Sequence, residues 1–283
     1  MAMRARNLAV MGPQGFLNLA YWDWEGPAGA PVVICVHGLT RNGRDFDALA
    51  SALSADCRVV CPDMPGRGAS DWLDDGSEYS FAFYLAVVAA LYARLDVPQV
   101  DWVGTSMGGL VGMLFAGLPN SPLRRLVLND IGPLVPKEGL MRIGEGIGDD
   151  PAFSSRDELE AYLRKRCAGF GPLSDTQWRQ LAAHSGRTRG DGRLGLAYDP
   201  KIGEPFKAHE PADVDFRPYY DRLRCPTLVL RGVDSDLLRP ADFAQMAERG
   251  PRAKLAEFPG VGHAPALMAP EQIAPVREFL VAP

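Results

Sequence analysis

Histidine is scarce in this chain: four residues in 283, at positions 37, 184, 209 and 263. Any chemistry that needs an imidazole has only those places to find one. Cysteine is sparse too, with five residues, an odd number, and no CxxC pair. Cys57 and Cys61 flank "RVV" in a segment with strand character, and four extended residues hold their Cα atoms roughly 13 Å apart, beyond the reach of a disulfide. Reduced, mostly buried thiols are the expected state, and no Cys/His grouping has the spacing of a structural zinc site. No basic run stands out, and the net charge is -5 with a pI near 5.5. Nucleic acid and anionic membranes are therefore not expected partners. The longest apolar run, "FAFYLAVVAALYA" at 81–93, is too short to span a bilayer and suits a buried helix. The first residues are basic, but Gly12-Pro13 interrupts them before a signal-peptide core can form. A cytoplasmic protein without a membrane segment is the expectation. Low-complexity segments are absent as well: the glycines and prolines are spread along the chain, which implies many turns and not disorder.

Nearly half of the residues are hydrophobic, enough for the core of one large α/β unit. The first half alternates strand and helix signals. Strands are expected at 16–24, 32–38, 58–63, 100–106 and 123–130, and helices at 45–55, 79–96 and 107–118. This rhythm predicts a mostly parallel sheet with helices on both faces. Segments without polar alternation, such as Val32–Val36 and Leu126–Leu128, suit strands covered on both sides. The rhythm stops near Pro133 and returns at "PTLVLRG" (226–232), followed by a helix at about 241–249, a strand at 253–258 and a terminal helix near 273–282. The intervening residues, 133–224, are charged, helical and loop-like. They contain two capping-box patterns, Ser155 with Glu158 and Ser174 with Gln177. The expected organisation is a core of 1–132 and 225–283 with a helical cap of 133–224. An insertion at a strand's C-terminal end lies over the crevice where open α/β sheets bind ligands.

Gly104-Thr105-Ser106-Met107-Gly108 is G-x-S-x-G set between a strand and a helix. A serine there sits on a sharp, strained turn with its hydroxyl clear of the backbone. At the start of the following helix the Met107 N–H is unpaired and the dipole favours negative charge. Serine needs a base. His184 falls in a capped helix of the insertion and His209 in a polar loop. His37 opens "HGLTRNG" directly after a strand, where it is placed to shape the loop. His263, in "FPGVGHAPALM" between the last strand and the last helix, falls at the same sheet edge as Ser106 and is the expected base. The two donors for an oxyanion are then the N–H groups of Met107 and Leu39.

With these pieces in order, "VHGLTRNGRDF", "CPDMPGRGASD", "VGTSMGGL", "LVLRGVDSDLL" and "GVGHAP", the chain resembles the α/β-hydrolase family, in particular serine esterase-like members with a cap. The resemblance covers the chain except for the insertion. It implies an eight-stranded, mostly parallel sheet, a helical lid between strands six and seven, the triad order Ser, acid, His, and no cofactor. In the family the acid usually stands about three residues after a glycine that ends strand seven. Here that third residue after Gly232 is Ser235, between Asp234 and Asp236. The family's acid-x-x-x-proline spacing fits Asp236 and Pro240, so Asp236 is the expected acid. Asp130, at the end of "LVLND", is the alternative, because some relatives, including a group of haloalkane dehalogenases, carry the acid after strand six.

The resemblance also narrows the reaction. Dehalogenases and epoxide hydrolases place aspartate where this chain has Ser106. Proline iminopeptidases show "HGGPG", and C–C bond hydrolases a glycine-rich "HG-x-GPG" loop, where this chain has "HGLTR". The expected function is a serine hydrolase cleaving a small carboxylic ester, lactone or thioester through an acyl-enzyme. A C–C bond hydrolase or acyltransferase on the same triad, and a non-catalytic ligand receptor on the same fold, stay open. The expected partner is a small, partly apolar ester-like molecule, and a homodimer is compatible with the sequence. Arg41 and Trp178 are candidate substrate-binding residues. Phe170, Tyr198 and Phe206 either line an acyl pocket or pack the cap's own core.

Overall fold

The computed structural model describes residues 2–282 except 209 and 211, so His209 lies outside the described residues. Eight strands form the main sheet: β1 (Met3–Gly12), β2 (Gly15–Trp24), β3 (Val32–Val36), β4 (Arg58–Pro62), β5 (Val100–Thr105), β6 (Leu123–Asn129), β7 (Thr227–Gly232) and β8 (Lys254–Phe258). Their spatial order is β1-β2-β4-β3-β5-β6-β7-β8. The β1–β2 and β2–β4 pairs are antiparallel, and every other pair is parallel.

Strand β3 shows why its sequence lacks alternation. All five of its residues are buried. Val32, Ile34 and Val36 join the apolar layer under α2 (Phe81–Leu95) and α3 (Met107–Ala116). Val33 and Cys35 join the layer under α1 (Asp47–Leu53) and α10 (Pro270–Val281) on the opposite face. Successive side chains point to opposite faces, so a strand covered on both sides is apolar throughout. The 81–93 run forms α2, which Ser80 caps by accepting the Phe83 N–H.

Strand β1 was not visible as a strand in the sequence. It pairs with β2 over its whole length, from Met3 opposite Trp24 to Gly12 opposite Gly15. As an edge strand it is exposed along much of its length, so burial imposes no apolar pattern on it.

Between β6 and β7 the chain leaves the sheet. This excursion holds α4 (Lys137–Gly144), α5 (Arg156–Arg166), α6 (Asp175–Ser185) and the short helices α7 (Glu204–Ala208) and α8 (Arg217–Tyr220). Both expected caps form. Ser174 and Gln177 make a reciprocal box, and Ser155 accepts the Glu158 N–H while the Glu158 carboxylate takes the Ser154 N–H. The excursion also carries small strands that two- or three-residue segments cannot announce by periodicity. Ala152–Phe153, Leu194–Leu196 and Gly186–Thr188 form a three-stranded sheet. Leu134–Val135 pairs with Val214–Asp215, which fastens the beginning of the excursion to its end. After β7 the chain continues through α9 (Pro240–Gln245), β8 and α10.

Candidate active site

The loops after β3, β5, β6, β7 and β8 meet at the C-terminal edge of the parallel strands, where the dipoles and loops of this architecture converge. Ser106 joins β5 to α3 at φ 52, ψ -114, a backbone conformation that is strained for a residue with a Cβ. The two glycines of the motif permit it. A Cβ on Gly104 would stand 2.3 Å from Gly108 O, and one on Gly108 would stand 2.0 Å from Val36 O. The Ser106 N–H donates to Asn129 O at 3.0 Å, tying the turn to the end of β6.

His263 bridges two groups. Its Nε2 lies 2.9 Å from Ser106 Oγ and its Nδ1 lies 2.7 Å from Asp130 Oδ2. Asp130 is wholly buried. Its Oδ1 accepts the Gly232 N–H at 3.0 Å, and its Oδ2 accepts the Ser235 hydroxyl at 2.6 Å as well as the imidazole. Donors therefore reach both oxygens of the buried carboxylate, as a buried polar group requires. Ser235 Oγ in turn accepts the N–H groups of Leu237 and Leu238.

This arrangement corrects the expectation for Asp236. Its side chain is exposed and its carboxylate pairs with Arg142 on α4. Asp234 is exposed as well, and its N–H donates to Val261 O. In "GVDSDLL" the one inward-facing polar side chain is Ser235. Spacing to Pro240 identified a position along the loop, but the carboxylate that meets His263 comes from the neighbouring loop, and the buried residue of this one, Ser235, reaches Asp130 instead. One residue with no sequence argument behind it completes the frame. Asn129 Nδ2 donates to Pro265 O at 2.8 Å, holding the segment just after His263, and to Thr105 Oγ1 at 3.0 Å. The signal for Ser235 was present in its place three residues after Gly232, where the family's acid usually stands.

The Gly38–Leu39 peptide is held by its carbonyl. Gly38 O accepts from His37 Nδ1 at 2.7 Å and from the Arg41 N–H at 3.1 Å. His37 Nε2 accepts the Met64 N–H at 2.9 Å, so the ring's single proton resides on Nδ1. Complete burial, with Arg67 and Arg41 nearby, pushes the His37 pKa down to about 3 and keeps the ring neutral. His37 thus shapes the loop as expected. Because a peptide's N–H and C=O point in opposite directions, pinning Gly38 O also aims the Leu39 N–H. Leu39 and Met107 both line the cavity beside Ser106. Neither backbone N–H has a hydrogen-bond acceptor among the described residues.

That cavity measures about 280 Å³ and runs from Ser106 and His263 under the excursion. Ile131, Val135, Leu140, Ile143, Ile147, Phe170, Phe206 and Leu237 make most of its wall apolar, and Arg41, Arg142 and Arg166 supply positive charge. Arg41 is a cavity residue, but Asp45 already holds its guanidinium through two hydrogen bonds at 2.7 and 2.6 Å. Arg142 is engaged by Asp236. Arg166 instead donates to two backbone carbonyls, Ile143 O and Glu145 O, and no carboxylate pairs with it among the described residues. Trp178 does not line the cavity. It is buried in the apolar cluster that the excursion shares with the α2/α3 side of the sheet, under the Arg164 guanidinium. Phe170 and Phe206 reach the cavity, and Tyr198 lines a smaller adjoining pocket. His184 stays in α6, where its carbonyl accepts from Asn42 Nδ2.

Residues 33–276 match the model of the Alpha/beta hydrolase family. A 3-hydroxybutyrate-oligomer hydrolase from Cupriavidus necator is 44% identical over 277 residues, which cover 95% of this chain and 94% of that protein. A 2-(acetamidomethylene)succinate hydrolase from Mesorhizobium japonicum is 27% identical, covering 85% of this chain and 84% of that one. The crystal structure of an α/β hydrolase from Novosphingobium aromaticivorans superimposes with a TM-score of 0.88 at 39% identity, covering 99% of both chains. The chain belongs to the α/β-hydrolase family, and it is a hydrolase acting on a small molecule. No helix among the described residues is long and apolar enough to cross a membrane.

Proposed function

We propose that the protein is a carboxylic ester hydrolase working through an acyl-enzyme on Ser106, with His263 as base and Asp130 as the acid. The observation that carries this reading is the continuous pair of contacts, Ser106 Oγ to His263 Nε2 at 2.9 Å and His263 Nδ1 to Asp130 Oδ2 at 2.7 Å. Ser106 Oγ attacks the ester carbonyl carbon while His263 Nε2 takes its proton. Asp130 accepts the Nδ1–H throughout, which fixes the tautomer and stabilises the imidazolium. The negative charge developing on the carbonyl oxygen is received by the Leu39 and Met107 N–H groups. His263 then gives its proton to the departing alkoxide. A water deprotonated by the same ring hydrolyses the acyl-serine, and Ser106 recovers its proton. The excursion of 133–224 acts as a cap, since it supplies much of the apolar wall facing the serine.

The substrate class we propose is a short oligoester of a hydroxy acid, which presents an apolar acyl chain, an ester and a free carboxylate in one molecule. The similarity to the Cupriavidus necator oligomer hydrolase supports it, as do the mostly apolar cavity and the presence of Arg166 without a carboxylate partner. A charge-assisted bond to a carboxylate is worth about 1.5–3 kcal/mol. Arg166→Gln should therefore raise KM for a 3-hydroxybutyrate dimer about tenfold or more and leave KM for p-nitrophenyl butyrate unchanged. Equal effects on both esters would remove Arg166 from carboxylate recognition. The nucleophile is tested with a fluorophosphonate probe: wild type is labelled and Ser106→Ala is not, and labelling that survives in the variant would sink the assignment.

A further inference from the structure

Beyond its effect on His37, Arg67 has no role in the site described so far. Its side chain is wholly buried, yet no carboxylate pairs with it among the described residues. Its donors go elsewhere. Nε donates to Leu39 O at 2.8 Å, Nη1 to Pro65 O and to Tyr84 Oη at 2.7 Å each, and Nη2 to Met107 Sδ at 3.5 Å. The rings of Tyr79 and Tyr84 flank the guanidinium, with their centroids 5.3 and 5.2 Å from Cζ. The carboxylate of Asp199 meets this cluster only through Tyr79, whose hydroxyl donates to it.

A buried cation without a counter-ion is costly, and a fold keeps one where a negative charge arises. Two of the four residues that Arg67 grips, Leu39 and Met107, are the pair whose N–H groups face the reacting carbonyl in the proposed mechanism. We infer that Arg67 is the positioning residue of the oxyanion hole, fixing both donor residues from behind and lending the hole its charge as the tetrahedral intermediate forms. The inference rests on the reading of Leu39 and Met107 as oxyanion donors. Its loop is also fastened to the excursion: the Gly68 N–H donates to Ala197 O and the Asp199 N–H to Gly66 O, both at 2.8 Å. Seating of the cap and alignment of the hole thus meet at one side chain.

The test compares wild type, Arg67→Met, Arg67→Lys and Ser106→Ala on p-nitrophenyl butyrate, with a trifluoromethyl ketone as a mimic of the tetrahedral oxyanion and butyrate as a ground-state ligand. Arg67→Met is expected to lower kcat on the order of 30-fold or more, to leave KM within about threefold, and to weaken the ketone in step with kcat while butyrate binds as before. Arg67→Lys keeps the charge but not the planar fork, so it recovers part of the loss. A kcat for Arg67→Met within about threefold of wild type would overturn the inference, as would equal weakening of ketone and butyrate. Should neither variant fold, wild type decides. The Arg67 Nε–H signal in ¹⁵N spectra moves when the ketone forms its hemiketal and not when butyrate binds, and a signal unmoved by the hemiketal overturns the proposal. Activity lost in Ser106→Ala but retained in Arg67→Met would sink the inference alone. Activity surviving in Ser106→Ala would sink the serine reading and the inference with it.

Discussion

Two neighbouring strands, β6 and β7, each run out into a loop that carries a candidate acid, Asp130 after β6 and Asp236 after β7, and these two meet opposite fates. Asp130 follows β6 directly, in a left-handed backbone conformation at φ 55, buried and ringed by donors from Gly232, Ser235 and His263. Asp236 follows β7, points outward and holds an arginine at the surface. The loop after β7 still contributes to the site, but through a hydroxyl and a backbone N–H that brace the acid of its neighbour. Placement of the aspartate beside His263 is therefore a property of the two loops together. A serine in one loop has its reason in an aspartate more than a hundred positions away.

The largest effect that separates the two loops should come from the acid itself. Asp130→Asn keeps the shape but offers the imidazole an ambiguous partner, and we expect kcat to fall by about 10⁴-fold. A value within tenfold of wild type would move the acid elsewhere. Ser235→Ala removes one donor to Asp130 and the acceptor of two N–H groups. It should lower kcat about tenfold and stability by about 1–3 kcal/mol, read by urea unfolding.

The third prediction probes the other support of the site. His37 has a folded pKa near 3 against 6.5 for the free side chain. Its folded value is the depressed one, so the stability linked to its neutral form is fully present above pH 6.5 and is lost as pH falls towards 3. The shift corresponds to about 5 kcal/mol. His37→Gln should lose much of that acid dependence in unfolding measured between pH 7 and 3, and an unchanged pH profile would contradict the buried neutral ring. The smallest effect belongs to the surface pair. Arg142→Ala or Asp236→Asn should change stability by about 1 kcal/mol or less and leave kcat for p-nitrophenyl butyrate within about twofold. A larger loss of kcat would give the Arg142–Asp236 pair a part in catalysis that its geometry does not suggest.

Much of this was legible in the sequence. The apolar strands and the G-x-S-x-G turn carry their own physical signatures, and the position of His263 after the last strand followed from chain order. The acid was not legible in the same way. Asp130 and Asp236 both lie in loops that follow sheet strands, and a count to Pro240 measures distance along the chain, which is blind to burial. The informative residue was Ser235, which departs from the family's acid position and whose hydroxyl needs a partner when it turns inward. Trp178 failed as a pocket residue for a related reason: a capped amphipathic helix has one inner face, and sequence does not say whether that face meets its own domain or a substrate. Strand β1 and the small strands of the excursion were missed because exposed or very short strands carry no periodic signal.

The central claim is that Asp130, and not Asp236, holds the His263 imidazole. The downfield proton signal of the His263 Nδ1–H tests it most directly, compared in wild type, Asp130→Asn and Asp236→Asn. The account predicts a signal that is present in wild type, retained in Asp236→Asn and lost in Asp130→Asn. A signal lost in Asp236→Asn and retained in Asp130→Asn would contradict it.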